Sequence, residues 1–182
     1  MGLERDAIIG VALELLDEVG LEGLTTRRLA QALGIKGPSL YWHFKSKREM
    51  LDHMAEAMIA QSWPTASPLE PGQPWAEWLA DRAYSLRRAA LSRRDGALLM
   101  MGQKPTGESP TFPAMVRRLE GAGFTAAEAQ HALMSAGRYS LGWAAAEQAA
   151  MERPTGIDYE AAFAFGLRAL VDGLALHLAR NG

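Results

Sequence analysis

Cysteine is absent from this chain of 182 residues, which excludes a disulfide framework and any metal site built from thiolates. Histidine is scarce, and the four that occur are His43, His53, His131 and His177. The sequence contains no H-E-x-x-H motif, no G-x-S-x-G motif and no phosphate-binding glycine loop. Because no group of residues indicates catalysis or metal binding, we expect neither an enzyme nor a bound cofactor.

Acidic residues are missing from one segment of an otherwise acidic protein. The chain has 19 basic and 21 acidic residues, of which six basic and no acidic ones lie between Thr25 and Arg48. Outside this segment 13 basic and 21 acidic residues remain, a net charge of −8. A local excess of positive charge of this kind is typical of an anion-binding surface. The six basic residues are Arg27, Arg28, Lys36, Lys45, Lys47 and Arg48.

Long uninterrupted apolar runs are also lacking. Residues 161–179 are nearly long enough to cross a membrane, but Arg168, Asp172 and His177 interrupt them, and charges within a span are costly. We therefore expect a buried helix of a soluble protein. The first six residues carry neither a basic start nor an apolar run, so we expect no secretion signal and a cytoplasmic location.

Helical periodicity dominates the sequence, and no segment alternates with period two, so we predict an all-α protein. Apolar residues from Ile8 to Val19 keep the spacing of one buried helix stripe, and Gly20 follows as a left-handed C-cap. Either Thr25 or Thr26 can cap a second helix, which ends at Gly34.

A third and a fourth helix follow within a short distance. Pro38 can occupy the first position of the third helix, which we extend to His43. Ser46 and Glu49 have the spacing of a capping box that opens the fourth helix, which we extend to Ile59. The three helices before Ser46 therefore predict a small head, and the fourth predicts a connection to the rest of the chain.

Prolines and glycines between Pro64 and Pro74 break the periodicity, so we place a boundary there. Thr125 and Glu128 form a second capping box at the start of a long helix. Five helices are predicted after the boundary, at about residues 75–86, 97–101, 112–119, 125–151 and 158–179. The predicted regions are a head at 1–46, a connecting helix at 47–63 and a larger helical region at 64–182.

The last two long helices are apolar or small nearly all round, and a helix without a polar face must be covered on every side. Gly137, Gly142, Gly166 and Gly173 interrupt them, and each glycine weakens a helix by about 1 kcal/mol relative to alanine. Such glycines make sense where another helix approaches closely. We therefore predict a homodimer formed through these two helices, with the alternative of a monomer in which other helices cover them.

The segment "GIKGPSLYWHFKSKREML" explains the concentration of positive charge. The turn "GIKG" gives the second and third helices the spacing of a helix-turn-helix, whose second helix enters the major groove of DNA. Basic residues neutralise phosphates, and Tyr41, Trp42 and His43 can lie along the sugar–phosphate edge. Two alternatives stay open, that Tyr41 or Trp42 belongs to the core and that Arg27 and Arg28 only form a solvated face.

The stretch "GLTTRRLAQALGIKGPSLYWHFKSKREMLDHMAEAMI" resembles the DNA-binding domain of the tetracycline-repressor (TetR) family of bacterial transcriptional regulators. The segments "LRRAALSRRDGALLMMGQKPTG", "AGFTAAEAQHAL", "SLGWAAAEQ" and "AAFAFGLRALVDGL" resemble, more loosely, the ligand-binding domain of the tetracycline-repressor subfamily. The resemblance implies an all-helical homodimer, two helix-turn-helix heads on a palindromic operator, and a pocket whose filling releases DNA.

The family pattern also implies which residues contact DNA. Gly37 falls where tetracycline repressors carry a base-reading glutamine, so we expect this chain to read a different half-site. The candidate DNA-binding residues are Thr26, Arg27, Arg28, Lys36, Gly37, Pro38, Ser39, Tyr41, Trp42, His43 and Lys47.

At the positions that bind the effector, this chain departs from the subfamily. Met100 falls where tetracycline repressors hold a magnesium chelate with a histidine, Arg82 and Met115 replace an asparagine and a glutamine, and Ala146 replaces a glutamate from the partner subunit. Since methionine does not suit magnesium, we do not expect magnesium–tetracycline as the effector. The matching positions predict a pocket lined by Trp63, Leu86, Met100, Met101, Pro105, Met115 and Trp143, with Arg82, Gln103, Lys104 and Arg138 as polar anchors.

Methionine-rich apolar walls are adaptable, so we expect a flat or aromatic hydrophobic effector. Alternatively, these side chains are core, and Arg82 and Arg138 pair with Glu147 or Asp172. For the whole chain we predict a ligand-responsive repressor. The alternatives are an enzyme acting in the C-terminal pocket and an architectural DNA-binding protein without an effector.

Overall fold

The fold is entirely helical over the residues that the computed structural model describes, which are residues 4–62, 72–102 and 111–181. These residues form nine helices and no strand, which confirms the predicted fold class. The helices are α1 (Arg5–Gly23), α2 (Thr26–Ala32), α3 (Gly37–Leu40), α4 (Lys47–Ser62), α5 (Trp75–Leu91), α6 (Gly96–Gly102), α7 (Thr111–Glu120), α8 (Ala126–Glu152) and α9 (Tyr159–Asn181).

Helices α1, α2 and α3 form the head, and local signals in the sequence set their ends. Gly20 has φ of 71° and ψ of 174°, a conformation that glycine adopts readily, and α1 is kinked there. The predicted C-cap at Gly20 is wrong, because the helix continues to Gly23 and its C-cap is Leu24. Of the two candidate caps of α2, the structure selects Thr25, whose hydroxyl accepts a hydrogen bond from the backbone N–H of Arg28 at 3.2 Å. Gly34, with φ of 66°, ends the second helix region.

The third helix is shorter than its predicted extent. It ends at Leu40, and Tyr41 to His43 form a tight turn instead. The backbone N–H groups of both His43 and Phe44 donate to the carbonyl oxygen of Leu40, each at 3.0 Å. Such tightening is common at helix ends, and here it brings Phe44 into the core before α4 begins.

The two predicted capping boxes differ in how far they form. At α8 the box of Thr125 and Glu128 is complete. At α4 the backbone N–H of Glu49 donates to the Ser46 hydroxyl at 3.1 Å, as predicted. The Glu49 carboxylate, however, accepts from the backbone N–H of Lys45 at 2.6 Å, one residue before the position that a capping box requires.

One apolar cluster joins the head to the rest of the chain. It runs from α1 through Met54 and Met58 of α4 to Ala97 of α6 and Leu141 of α8. The head and the C-terminal helices therefore share a core, and α4 lies in the middle of it. The boundaries of the three predicted regions stay predictions.

A polar connection accompanies this cluster at the turn between α5 and α6. Arg93 of the turn forms an ion pair with Asp17 of α1 at 2.5 Å, and the Asp95 carboxylate accepts from the backbone N–H of Leu21 at 2.8 Å. Gln148 of α8 holds the same turn, since its amide donates to the carbonyl oxygen of Arg93 at 2.7 Å. Helix α8 is thus linked to α1 through one turn.

Helix α9 is covered on one side only. Phe163 and Leu167 are buried against α5 and α8, whereas Phe165 is 79% exposed and Leu176 is 55% exposed on the other side. By length and composition the stretch Tyr159–Arg180 could cross a membrane, but only 11% of its apolar window is buried. The expectation that this helix is buried is therefore not met within a single copy of the chain.

The glycines of α8 and α9 have different surroundings. A Cβ atom at Gly166 would lie 2.3 Å from the hydroxyl oxygen of Tyr139, so this glycine does permit a close approach of the two helices. At Gly137 the nearest atom, of Leu86, is 3.7 Å away, which is ordinary contact. A Cβ atom added at Gly142 or Gly173 would have no neighbour within 4 Å among the described residues.

Candidate DNA interface and effector cavity

Five of the predicted DNA-binding residues line one surface between α2 and α3. An open groove between the two helices is lined by Thr26, Arg27, Ala30, Gln31, Ile35, Gly37, Pro38 and Tyr41. Sequence analysis missed Gln31, although its position one helical turn after Arg27 places both on the same face of α2. Its exposed amide is of the type that hydrogen-bonds base edges.

Two aromatic rings beside this groove face solvent. Trp42 is 89% exposed and Tyr41 is 57% exposed, so the alternative that either ring belongs to the core is wrong. An exposed ring of this size gains nothing from folding, since its apolar surface stays in water. Rings placed among exposed cations are therefore available to a ligand outside the chain.

The charged and polar members of the set differ in their own contacts. Arg27, Lys36 and Lys47 are exposed. Arg28 is exposed too, but its guanidinium donates to the carbonyl oxygen of Gly23 at 3.2 Å. Ser39 and His43 are half-buried, as the start and end of a short helical segment packed on the core require.

A cavity of about 250 Å³, partly open to solvent, lies between α4, α5, α6, α7 and α8. Five of the predicted effector-binding residues line it, namely Arg82, Leu86, Met100, Met115 and Arg138. The other described residues of the lining are Ile59, Leu79, Ala83, Ser85, Ala89, Phe112, Leu133, Met134, Ala136, Gly137 and Leu141.

The remaining predicted effector-binding residues are not among the described residues that line this cavity. Met101 is exposed at the end of α6, and Trp143 packs against the rings of Tyr139 and Tyr159, with centroids 6.3 and 6.1 Å away. Trp63, Gln103, Lys104 and Pro105 lie outside the described residues.

Sequence analysis also missed part of the lining, above all Phe112, Met134 and Ile59. Two of these had a usable signal in their spacing. Phe112 lies three residues before Met115 on α7, and Met134 lies four residues before Arg138 on α8, so each pair shares a helix face. Ile59 had none, because its position at the cavity depends on how α4 packs against α5.

Glu147 forms an ion pair with Arg87, and not with Arg82 or Arg138 as one alternative predicted. Glu147 accepts a hydrogen bond from Arg87 at 2.7 Å, and Glu160 binds the same guanidinium. Burial acts to lower the pKa of Arg87, but the hydrogen bonds to Glu160 and Glu147 outweigh it and raise the pKa. The alternative that Glu147 neutralises Arg82 or Arg138 is therefore wrong.

The described lining of the cavity has methionines at two positions that matter for a magnesium chelate. Thioether sulfurs of Met100 and Met115 stand in its lining, and magnesium takes oxygen ligands in a near-ideal octahedron. Among the described residues, moreover, no three His, Cys, Asp or Glu side chains are grouped to hold a metal ion. That magnesium–tetracycline is not the effector stays a prediction.

Two sequence models of protein families match this chain. One, described as "Bacterial regulatory proteins, tetR family", matches residues 8–54. The other, described as "Tetracyclin repressor-like, C-terminal domain", matches residues 67–157. Together they cover both the head and most of the region that contains the cavity.

Individual proteins agree with this result. The tetracycline repressor protein class C of Escherichia coli is 46% identical over 151 residues, which are 82% of this chain and 68% of the relative. A variant of TetR from Acinetobacter baumannii AYE, in complex with minocycline, has a TM-score of 0.88 and 39% identity over 97% of this chain and 99% of that one. BioQ with its double-stranded DNA operator has a TM-score of 0.77 and 31% identity over 96% and 99%.

Proposed function

This chain belongs to the tetR family of DNA-binding transcriptional regulators, and we propose that it is a repressor released from its operator by a small hydrophobic effector. Members of this family are regulators and not enzymes, so the chain is not an enzyme of the C-terminal pocket. As a soluble DNA-binding protein it would act in the cytoplasm, where its operator is.

The operator-binding surface in this proposal is the exposed face of α2, α3 and the following turn. Its cations would neutralise phosphates, and Trp42 and Tyr41 would lie along the backbone. The structural similarity to BioQ bound to its operator supports this orientation of the head. Because Gly37 offers no side chain, base reading would fall to neighbours such as Arg27 and Gln31.

The proposed homodimer forms through the outer faces of α8 and α9. Phe165 and Leu176 are exposed there, and Gly142 and Gly173 are open to an approaching helix. Covering this face would remove an apolar surface that a monomer leaves in water. Two heads related by a two-fold axis would then bind a palindromic operator.

The effector site in the proposal is the cavity of about 250 Å³. Its apolar walls suit a hydrophobic or aromatic molecule. Minocycline binds the related A. baumannii protein, but the methionines in this cavity favour an effector that carries no magnesium.

The observation that carries the proposal is the position of α4, which reaches both surfaces. Lys47 begins this helix beside the DNA face, and Ile59 near its other end lines the cavity. An effector that displaces Ile59 would move α4 and the head with it. Such coupling requires that the effector binds the DNA-free arrangement more tightly than the DNA-bound one.

The test is a fluorescence-anisotropy titration of the purified protein against the palindromic DNA upstream of its own gene. It is run at two salt concentrations, with and without a panel of hydrophobic aromatic compounds. We expect tight binding that weakens with salt and that at least one compound abolishes. Salt-sensitive binding that no compound affects would favour an architectural protein without an effector, and absence of DNA binding would contradict the proposal.

A further inference from the structure

The charge of the cavity lining has one sign. Among its described residues Arg82 and Arg138 are the charged ones, and no carboxylate is present. Most of the remaining side chains are aliphatic or methionine, which solvate a cation poorly. The lining therefore combines an apolar interior with positive charge from two helices, α5 and α8.

Arg138 is the more exposed of the two cations. It is exposed on α8 and also lines the cavity, so this residue lies where the cavity meets solvent. No hydrogen bond or ion pair joins it to any residue within 4–62, 72–102 or 111–181. Five N–H donors in a planar fork suit a carboxylate or a similar planar anion.

Arg82 adds positive charge from a more buried position. Burial lowers the pKa of its guanidinium, Asp81 acts in the opposite direction, and the cations Arg88 and Arg118 lower it further. The environment of Arg82 is thus less favourable to a cation than water is. A negative charge inside the cavity would reverse that effect.

Three carboxylates of α5, α8 and α9 have hydrogen-bond partners of their own. Asp81 accepts a hydrogen bond from the Gln73 amide at 2.8 Å. Glu147 and Glu160 share the guanidinium of Arg87. None of the three is among the described residues that line the cavity with Arg138.

From this arrangement we propose that the effector is a small hydrophobic anion, with an apolar body among the methionines and a carboxylate between Arg82 and Arg138. The inference rests on the proposed function, because it names the chemical class of the molecule that fills the cavity. The cavity volume of about 250 Å³ lies below the usual range of about 300–1,000 Å³ for ligand pockets. A compact molecule of one or two rings fits it better than a larger one.

The test compares three ligands of the same shape, namely 2-naphthoate, 2-naphthamide and 2-naphthylmethylammonium. Binding to the purified full-length protein is measured by isothermal titration calorimetry without DNA. We expect the carboxylate to bind at least about tenfold more tightly than the amide, and the ammonium to bind most weakly. Equal or tighter binding of the amide or the ammonium, or binding of none of the three, would overturn the inference.

Substitutions of the two arginines test which positive charge causes the preference for carboxylate over amide. Arg138→Gln and Arg82→Gln should each reduce the preference for carboxylate over amide, and the double substitution should abolish it. Arg153→Gln is the matched control, since Arg153 is exposed in the connection between α8 and α9, away from the cavity. The preference is a ratio within one variant, so a general loss of folding affects both ligands alike. A preference that survives the double substitution would contradict the assignment.

The anisotropy titration separates this inference from the proposed function. Release of DNA by 2-naphthamide but not by 2-naphthoate would leave a ligand-released repressor and overturn the anionic effector. The calorimetric ratio is obtained without DNA, so it decides the inference even if the operator experiment fails.

Discussion

At the residue scale, Lys47 is a cation whose role in DNA binding can be isolated. It is exposed in the first turn of α4, outside the groove between α2 and α3, so we expect it to contact a phosphate and not a base edge. We expect Lys47→Ala to weaken binding to all DNA sequences alike, and to reduce the slope of log affinity against log salt by about one unit. Anisotropy titrations over a range of salt concentrations measure that slope.

The control for this experiment is Arg153→Ala, which also removes one exposed cation but far from the head. Its slope should equal that of the unsubstituted protein. An unchanged slope in Lys47→Ala would remove Lys47 from the phosphate contacts.

Glu128, at the start of α8, forms an ion pair with His177 of α9. Its ionisation therefore affects the contact between the two helices. The hydrogen bond from His177 at 2.7 Å, with those from the hydroxyl and backbone N–H of Thr125, lowers the pKa of Glu128 from 4.5 to about 2. Because the pKa in the folded state is depressed, the stabilisation is present above pH 4.5 and is lost as the pH falls from there through about 2.

We therefore expect Glu128→Gln to flatten this part of the stability profile. Urea unfolding between pH 5 and pH 2 should show a smaller loss of unfolding free energy in Glu128→Gln than in the unsubstituted protein. Glu120→Gln, at an exposed position of α7, should follow the unsubstituted protein. Identical profiles for all three proteins would show that this hydrogen bond contributes nothing.

Sequence patterns identified the exposed face of the head better than the cavity. Positive charge, the turn and the aromatic residues all lie within one short segment, so local spacing was sufficient to group them. The partner of Glu147 depends instead on the packing of α5 against α8 and α9, which brings Arg87 to it across 60 residues. No local pattern contains that information.

At the element scale, Gly166 decides how closely α9 lies on α8. A Cβ atom there would be 2.3 Å from the Tyr139 hydroxyl oxygen and 3.0 Å from the ring. Tyr139 cannot easily move, because its hydroxyl donates to the carbonyl oxygen of Phe163 at 2.9 Å. Overpacking of this kind costs about 1–3 kcal/mol, against a gain of about 1 kcal/mol in helix propensity.

We expect Gly166→Ala to destabilise the protein by up to about 2 kcal/mol, the difference between these two effects, as measured by urea unfolding. Gly10→Ala in α1 is the control, because nothing lies within 4 Å of its added Cβ. It should be neutral or stabilising by up to about 1 kcal/mol. Stabilisation by both substitutions would show that the helices separate without cost.

The turn between α5 and α6 is the second element whose role can be tested. The Gln148 amide donates to the carbonyl oxygens of Ala90 at 3.2 Å and Arg93 at 2.7 Å, and its oxygen accepts from Ala97 at 3.2 Å. Gln148→Met has a similar volume but leaves these groups unpaired, at a cost of about 1–3 kcal/mol.

Because the turn carries Arg93 and Asp95 to α1, loosening it should also loosen the end of α1. We expect faster amide hydrogen exchange at Leu21 in Gln148→Met than in the unsubstituted protein. Gln130→Met, at an exposed position of α8, is the control and should leave that exchange rate unchanged. Unchanged exchange in both variants would mean that α1 is held without the turn.

At the scale of the whole molecule, the nine helices of the described residues follow from periodicity and capping residues. Which helix faces are exposed does not follow from those patterns. Helix α9 has an apolar residue on nearly every side, which predicts burial without saying what covers it. Within one copy, α5, α7 and α8 cover its inner face. In the proposed homodimer a second chain covers the outer face, and one sequence cannot specify which surfaces of two molecules meet.

The proposed homodimer can be tested together with the proposed operator surface, because we expect each to depend on a different exposed aromatic residue. Phe165 is 79% exposed on α9 and Trp42 is 89% exposed on the head. Truncating a large apolar residue at the centre of an interface commonly costs more than about 1.4 kcal/mol, which is tenfold in affinity. We therefore expect Phe165→Ser to weaken the dimer at least about tenfold in sedimentation equilibrium.

Trp42→Ser is the matched control, since it removes an equally exposed ring without touching α8 or α9. It should stay dimeric and lose affinity for the operator. Phe165→Ser should lose operator affinity as well, but only at protein concentrations where the dimer dissociates, because a single head contacts one half-site. If Phe165→Ser stayed dimeric at all concentrations, the outer face of α9 would not be the dimer interface, and its exposure would need another partner.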